Sequence, residues 1–261
     1  EEADAALQDM LCNAAFGKGK VVIEDYLEGP EFSFMCFVNG ENVYPMPLSQ
    51  DHKRAYDNDE GPNTGGMGAY TPLPFVTEED EAFARKYVLE AVAKGMCQEG
   101  LPLTGVLYGG LMKTAQGVKV IEFNARFGDP ETEVVLPLLE SDAYDVFYGI
   151  ATGDEAMRLK GDKAMSWRKE ATIGVVLASK GYPGDYAKGA VIEGVELFDG
   201  PVFHMGTKND NGVLKTNGGR VMMCIATGKD IAEAQAKVYK EIEKIHCDNL
   251  FYRKDIAHWA L

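Results

Sequence analysis

Residues 118–133, Val-Lys-Val-Ile-Glu-Phe-Asn-Ala-Arg-Phe-Gly-Asp-Pro-Glu-Thr-Glu, begin as a strand and end in a highly charged turn. By the period of two, Val118, Val120, Glu122 and Asn124 fall on one face of a buried strand, with Lys119, Ile121 and Phe123 on the other. Glu122 and Asn124 then stand about 6.6 Å apart at Cα. At that separation a carboxylate and an amide oxygen can converge on one hard cation, and Mg²⁺ takes oxygen ligands and leaves the rest to substrate phosphates. If the strand runs on, Arg126 joins the same face, where its planar fork suits a phosphate or a developing oxyanion. Gly128-Asp129-Pro130 turns the chain and leaves Asp129 and Glu131 beside that arginine. A metal, an anion clamp and spare carboxylates so close together are the parts of ATP-driven phosphoryl or acyl-phosphate chemistry. The plainer alternative is an edge strand with Arg126 as a salt-bridge partner.

Upstream, Ser49-Gln-Asp-His-Lys-Arg54 sets three potential cations in a row on an acidic chain. They read as a local positive focus or as a solvated face, and His52 could serve as a general base. Gly61-Pro-Asn-Thr-Gly-Gly-Met-Gly-Ala-Tyr70 follows at once. Its glycines allow positive φ and close backbone approach, so the loop can form an anion-cradling nest. It is neither a Walker A loop nor a dinucleotide fingerprint. Further upstream, Val21-Val-Ile reads as a short buried strand. It leads through Glu24-Asp25-Tyr26-Leu27 and a Glu28-Gly29-Pro30 turn into the apolar strand Glu31–Val38.

The stretches 126–133, 49–54 and 61–70 closely resemble the signatures of glycinamide ribonucleotide synthetases (phosphoribosylamine–glycine ligases), ATP-grasp enzymes of purine biosynthesis. The resemblance implies an α+β fold, an ATP-grasp C-terminal lobe of antiparallel sheet and helices followed by a small α+β C-terminal domain. The expected boundaries are 1–160, lacking most of the lid subdomain, and 168–261. It implies a ligase that joins glycine to 5-phosphoribosylamine through glycyl phosphate, cleaving ATP to ADP and phosphate. ATP enters as substrate, with Mg²⁺ or Mn²⁺ on Glu122 and Asn124. Arg126 is the implied catalytic residue. In the adenine hinge of such enzymes, backbone groups of an apolar pair read the base and a later Glu takes the ribose. Glu24, Asp25, Tyr26, Leu27 and Glu31 match that layout. Asp51, Lys53, Arg54, Asn63, Thr64, Gly65, Gly66, Asp129 and Glu131 are the implied substrate contacts. The strand Thr104–Met112 departs from many ATP-grasp relatives, because Tyr108-Gly109-Gly110 offers no acidic metal ligand. Its glycines mark a bulge or a close approach. Two rival readings stay open: another ATP-grasp carboxylate–amine ligase, and a non-catalytic nucleotide-binding module.

The totals agree with this. A chain of 261 residues with 46% hydrophobic and 26% charged residues can bury a sizeable core, and two domains are expected. The net charge of −15 argues against nucleic acid or anionic membrane as partner. No apolar run nears the roughly 20 residues of a membrane helix. Glu1–Met10 lacks the pattern of a signal peptide. The chain reads as a piece of a longer cytoplasmic protein, expected to be monomeric and inactive alone. Five cysteines without a Cys-x-x-Cys read as reduced thiols, and four scattered histidines give no zinc pattern.

The remaining elements are scaffold. A helix is expected over 3–15, with Ala6, Met10 and Ala14 on one side. Asn39-Gly40 predicts a type I′ hairpin into the strand Val43–Leu48. Thr77 and Asp80 predict a capping box that opens a helix to Gln98, with Ala84, Val88, Ala91, Val92 and Met96 inward. Glu131–Gly153 reads as helix with Pro137 near its start. Strands are expected at Thr172–Ser179, Val191–Leu197, Val202–Thr207 and Arg220–Thr227, with the helix Asp230–Ile245 packed on them. Gly-Tyr-Pro-Gly-Asp-Tyr (181–186), His-Met-Gly-Thr-Lys (204–208), Thr-Asn-Gly-Gly-Arg-Val (216–221) and Tyr-Arg-Lys-Asp-Ile (252–256) resemble the family's C-terminal domain and read as turns and a terminal latch.

Overall fold

A computed structural model describes residues 2–13, 17, 19–155 and 160–261. Two antiparallel sheets carry the architecture. The first runs β2 (Asn42–Pro45), β1 (Glu31–Asn39), β7 (Thr104–Thr114), β8 (Gly117–Asn124). The second runs β10 (Val202–His204), β13 (Arg220–Gly228), β9 (Ala171–Ser179), β6 (Gly68–Thr71), β3 (Gln50–Asp51), with β14 (Leu250–Phe251) also paired to β9. Two hairpins stand beside them, β4 (Arg54–Tyr56) with β5 (Glu60–Asn63) and β11 (Thr207–Asp210) with β12 (Val213–Thr216). The helices are α1 (Glu2–Leu7), α2 (Glu78–Ala84), α3 (Glu90–Gln98), α4 (Thr132–Val135), α5 (Ala143–Thr152) and α6 (Ile231–Ile242). This is the α+β class expected. The second sheet draws β3 and β6 from residues before 160, so its hydrogen bonds cross the segment expected to separate two domains.

Period-two alternation explains β1. Phe32, Phe34, Cys36 and Val38 pack with Val88, Leu89 and Ala93 of the helical layer. Met35 and Phe37 face the other way, onto Val134, Val146, Ile150 and Met223. With both faces covered, β1 is the central strand of the core. In the other sheet, Ile231, Ala234, Val238, Ile242 and Ile245 are all buried, as the helical period predicts, and the Asp230 side chain caps Glu233 N.

Several expectations fail for identifiable reasons. Helix α1 gives way to a π-turn at Gln8–Cys12, and no residue of either is buried, so the expected apolar stripe covers nothing among the described residues. Ala14 lies outside them. Val22 and Ile23 are exposed and form no strand, because no described strand pairs with them. In the β1–β2 turn Asn39 pairs with Asn42, so Gly40 and Glu41 are the central residues. Only Gly40 has positive φ, which excludes type I′. The Thr77–Asp80 capping box forms, but a π-turn at Arg85–Leu89 follows. Its extra residue rotates the helix, burying Leu89 and Ala93 and leaving Ala91 exposed. Pro137 breaks the expected 131–153 helix into α4, a 3₁₀ turn and α5. Val191–Leu197 forms isolated bridges and a 3₁₀ turn instead of a strand.

Candidate active site

Three strands lay the site out in rows. Ser33, Gly110 and Glu122 are paired across β1, β7 and β8; the next row is Met35, Tyr108 and Asn124. Glu31, Ser33, Tyr108, Glu122 and Asn124 therefore share one face. The register slips between Gly110 and Leu111, leaving Ile121 as a bulge. That bulge corrects the simple alternation. Val118 and Val120 lie opposite Glu122 and Asn124, and Lys119 joins the pair. Only Val118 of this strand is buried, so β8 is an exposed edge. A Cβ on Gly110 would stand 3.0 Å from Glu122 Cγ, so a larger residue there would push the Glu122 side chain aside.

Asn124 Nδ2 donates to Glu122 Oε1 at 3.0 Å, so the two side chains meet, with the amide nitrogen rather than the oxygen turned to the carboxylate. The donor set is oxygen at an open strand tip, which fits a hard divalent cation. Arg126 does not join them. The strand ends at Asn124, and the exposed guanidinium donates to Phe127 O at 2.8 Å.

Residues 49–54 cross over β1 and add the second wall. Ser49 bridges to Ser33, and Gln50 Nε2 donates to Glu31 O at 2.6 Å. Lys53 forms an ion pair with Glu31. Burial lowers the affinity of Lys53 for its proton, but the Glu31 hydrogen bond and the charges of Asp51, Glu31 and Glu122 outweigh it and hold the pKa above its usual value. The row of cations is thus less of a focus than expected. Lys53 is spoken for, and His52 is 2% exposed with its pKa lowered by burial. Its Nε2 accepts the Ala257 N–H at 2.9 Å, which requires the neutral ring and removes it as a general base. Arg54 is exposed and donates to Gly61 O at 2.8 Å.

The glycine loop is also occupied by the protein itself. Gly65 N donates to the Tyr182 hydroxyl at 2.9 Å and Gly66 N to Thr64 Oγ1 at 3.0 Å, so these amides do not form an open nest. Gly66, at φ 109°, packs against Pro130, whose ring a Cβ would overlap. Asp129 is bidentate to Arg220 at 2.8 and 3.1 Å. Glu131, buried, accepts from Ser33 Oγ at 2.7 Å and the Tyr108 hydroxyl at 2.8 Å.

Three cavities meet at Glu31. A cleft of about 390 Å³ is bounded by Glu24, Asp25, Tyr26 and Leu27 on one side and Lys119–Ile121 on the other. A pocket of about 20 Å³ lies among Ser33, Asp51, Lys53, Tyr108 and Glu122. A cleft of about 270 Å³ reaches from Asp51 past Arg54 and Asn63 to Trp259. Glu31 lines all three. Burial, then the Glu131 charge, pushes the Asp51 carboxyl up to about 8; Glu133 is pushed up to about 7 by burial and by Asp129.

Sequence reading missed Ser33, Tyr108, Tyr182, Arg220 and Trp259 at this site. For Tyr182 and Arg220 a signal existed, in the 181–186 and 216–221 motifs read as turns. Two of the scattered histidines also meet: His52, Asp59 and His258 place ligand atoms within 4.8 Å of one another. Asp59 already accepts from Arg253 at 2.9 Å and from Trp259 Nε1 at 3.2 Å, and the buried guanidinium opposes a cation there. The cluster is a latch for the C-terminal segment.

The phosphoribosylglycinamide synthetase ATP-grasp (A) domain matches residues 1–132, and the C domain of the same synthetase matches residues 172–259. The chain belongs to the phosphoribosylglycinamide synthetase family. The synthetase relatives include phosphoribosylamine–glycine ligases of Halalkalibacterium halodurans, 52% identical over 100% of this chain and 60% of that protein, and of Pseudomonas aeruginosa, 48% identical over 100% and 61%. The chain thus spans about 60% of the length of these relatives. The crystal structure of the Thermotoga maritima phosphoribosylamine–glycine ligase matches with TM-score 0.77 at 37% identity, over 92% of this chain and 59% of that one. The biotin carboxylase domain of Hydrogenobacter thermophilus 2-oxoglutarate carboxylase, solved with MgADP and bicarbonate, shares the fold at TM-score 0.62 and 15% identity, over 96% of this chain and 52% of that one. No helix among the described residues is long and apolar enough to cross a membrane.

Proposed function

We propose that this chain is the nucleotide-binding and C-terminal part of an ATP-dependent ligase that joins glycine to 5-phosphoribosylamine, giving glycinamide ribonucleotide, ADP and phosphate in de novo purine biosynthesis. The meeting of three cavities at Glu31 carries the reading. Residues 1–160 supply the ATP-grasp part and 168–261 the C-terminal domain of a cytoplasmic, monomeric enzyme.

The 390 Å³ cleft receives the nucleoside. Backbone groups of Glu24–Leu27 face the adenine, which fixes donor and acceptor positions without ordering long side chains, and Glu31 takes the ribose. Glu122 and Asn124 would hold Mg²⁺ or Mn²⁺, which when bound neutralises charge on the phosphates. A glycine carboxylate oxygen attacks the γ-phosphorus to give glycyl phosphate and ADP. The amine nitrogen then attacks the carbonyl carbon and expels phosphate. Arg126, exposed beside the strand tip, turns its free donors to the transferring phosphoryl and the oxyanion. Asp51, Lys53, Arg54, Asn63, Thr64, Gly65, Gly66, Asp129 and Glu131 form the rim that holds glycine and the amine together, making the second step effectively unimolecular.

The test is ADP formation by a full-length protein carrying this sequence, dependent on both glycine and phosphoribosylamine. Equal ADP release with unrelated amines would move the reading to another carboxylate–amine ligase. Arg126→Ala should lower kcat about 10²–10³-fold with ATP affinity near normal, as loss of one oxyanion donor does; unchanged turnover removes Arg126 from the chemistry. The 261-residue chain alone should not turn over, since Tyr26 is 88% exposed and its cleft admits water.

A further inference from the structure

The cleft of about 270 Å³ has an outer end where one side chain is still without a role. Glu31, Asp51 and Lys53 line both this cleft and the small pocket at Glu122, so they mark its inner end. Arg54, Asn63 and Trp259 line the cleft but not that pocket, and they mark the outer end. Pro30 and Trp259 are the apolar side chains in an otherwise polar lining. Trp259 is 53% exposed, yet it is firmly held. Its Nε1–H donates to Asp59 Oδ2 at 3.2 Å, and Asp59 is in turn paired with the buried Arg253 at 2.9 Å. The backbone beside it is fixed by the Ala257 N–H donating to His52 Nε2 at 2.9 Å, and Ile256 and Ala257 are fully buried. The His258 ring supports it, with centroids 5.4 Å apart. A large ring left in water on a buried framework is preorganised: its face offers apolar contact, and little ordering is asked of it when a ligand binds. Arg54 supplies the complementary group. Its Nη1 donates to Gly61 O at 2.8 Å, and its other donors have no partner among the described residues. Lys53 is paired with Glu31, so Arg54 is the cation in this lining with a fork to turn toward an anion.

We propose that Trp259 is a substrate-binding residue that stacks on the C–H face of the pentose ring of a sugar 5-phosphate, with the phosphate at Arg54 and C1 pointing inward to the pocket at Glu122. This rests on the ligase reading above and deepens it by fixing which way the amine substrate lies. Size sets one limit: the cleft is at the low end for a small-molecule site and smaller than the 390 Å³ cleft assigned to the nucleoside. Chemistry sets the other. The amine must reach the acyl phosphate formed near Glu122, so the anionic end of the same molecule points outward, where Arg54 stands. The hydroxyls between the two ends meet Asn63, and the ring's apolar face meets Trp259. A simple amine without ring or phosphate touches neither Trp259 nor Arg54, so the outer end is what selects a phosphorylated pentose.

The experiment uses a full-length protein carrying this sequence, grown with 5-fluorotryptophan. The ¹⁹F resonance missing from Trp259→Phe belongs to Trp259. Ribose 5-phosphate, which has the ring and the phosphate but no amine, should shift that resonance saturably, and inorganic phosphate at the same concentration should not. In turnover assays Trp259→Ala should raise the KM for phosphoribosylamine about tenfold, the loss expected for one ring face buried on a ligand, and by more than it lowers kcat. Trp259→Phe gives up the bond to Asp59 but keeps a ring, so it should recover most of the affinity. If the two variants raise KM alike, the residue acts only by latching the loop, and the inference falls. It falls also if neither variant raises KM, if ribose 5-phosphate leaves the resonance unmoved, or if inorganic phosphate moves it equally. Should Trp259→Ala fail to fold, the resonance decides. If the wild type forms no ADP that depends on glycine and phosphoribosylamine while ribose 5-phosphate still shifts the resonance, it is the ligase reading that fails and the pentose phosphate site that stands.

Discussion

The 50–66 loop and β8 meet at one pocket but are held in opposite ways. The loop is tied down by residues far along the chain: Tyr182, Arg220, Arg253, Ala257 and Trp259 all bond to it or to its neighbours. At the tip of β8, Glu122 and Asn124, and just beyond it Arg126, make only local side-chain hydrogen bonds among the described residues. Ordering one wall is completed when the protein folds; ordering the other is left for a ligand. Substitutions at the anchors that tie the loop down should therefore read out first as stability, and substitutions on the strand as binding.

The largest effect is expected at Arg253. Its side chain is wholly buried and holds Asp59 and Asp255 at 2.8–2.9 Å. Arg253→Ala should cost on the order of 3 kcal/mol by leaving those carboxylates unpaired, read as a large fall in melting temperature. A melting curve like the wild type's would mean that the latch does not hold the loop. Gly66→Ala comes next, at about 1–3 kcal/mol, because φ is 109° and Pro130 fills the space. A denaturant midpoint unchanged by the new methyl would show that the loop can yield.

A smaller, pH-dependent effect belongs to His52. Burial lowers its pKa, and its Nε2 must stay unprotonated to accept the Ala257 amide. The unfolded chain therefore binds the proton more readily than the folded one. Stability is full above the unfolded value of about 6.5 and declines as pH falls through it. His52→Gln, which can still accept that hydrogen bond, should flatten the decline; a decline of the same size in the variant would assign it to other groups. Smallest of all, Glu122→Ala should shift stability by no more than about 0.5 kcal/mol while abolishing Mg²⁺-dependent binding of ATP, measured by calorimetry. A large loss of stability there would erase the contrast between the two walls.

The same contrast explains what could be read from the sequence. Glu122 and Asn124 lie two residues apart on one strand, so their convergence follows from local geometry. The bulge at Ile121 does not, because it arises from register with β7. Arg220 reaches Asp129 across 91 positions, and Trp259 reaches Asp59 across 200. Nothing local specifies such pairs, and motifs that looked like turns turned out to supply their side chains. Amphipathic α6 was legible because one face of it meets one sheet. On the α2–α3 face Ala84, Val88 and Val92 turn inward as the spacing predicts, but Ala93 takes the place of Ala91, since a π-turn leaves no mark in hydrophobic spacing.

The outermost place of β8 in its sheet has a consequence for how the protein behaves in solution. An uncovered strand edge invites a neighbouring chain to add to it, and a kink with charged side chains is how such edges resist. Lys119, Glu122 and the Ile121 bulge occupy that position here. The side chains offered to a nucleotide are then also the ones that discourage chains from stacking edge to edge into aggregates.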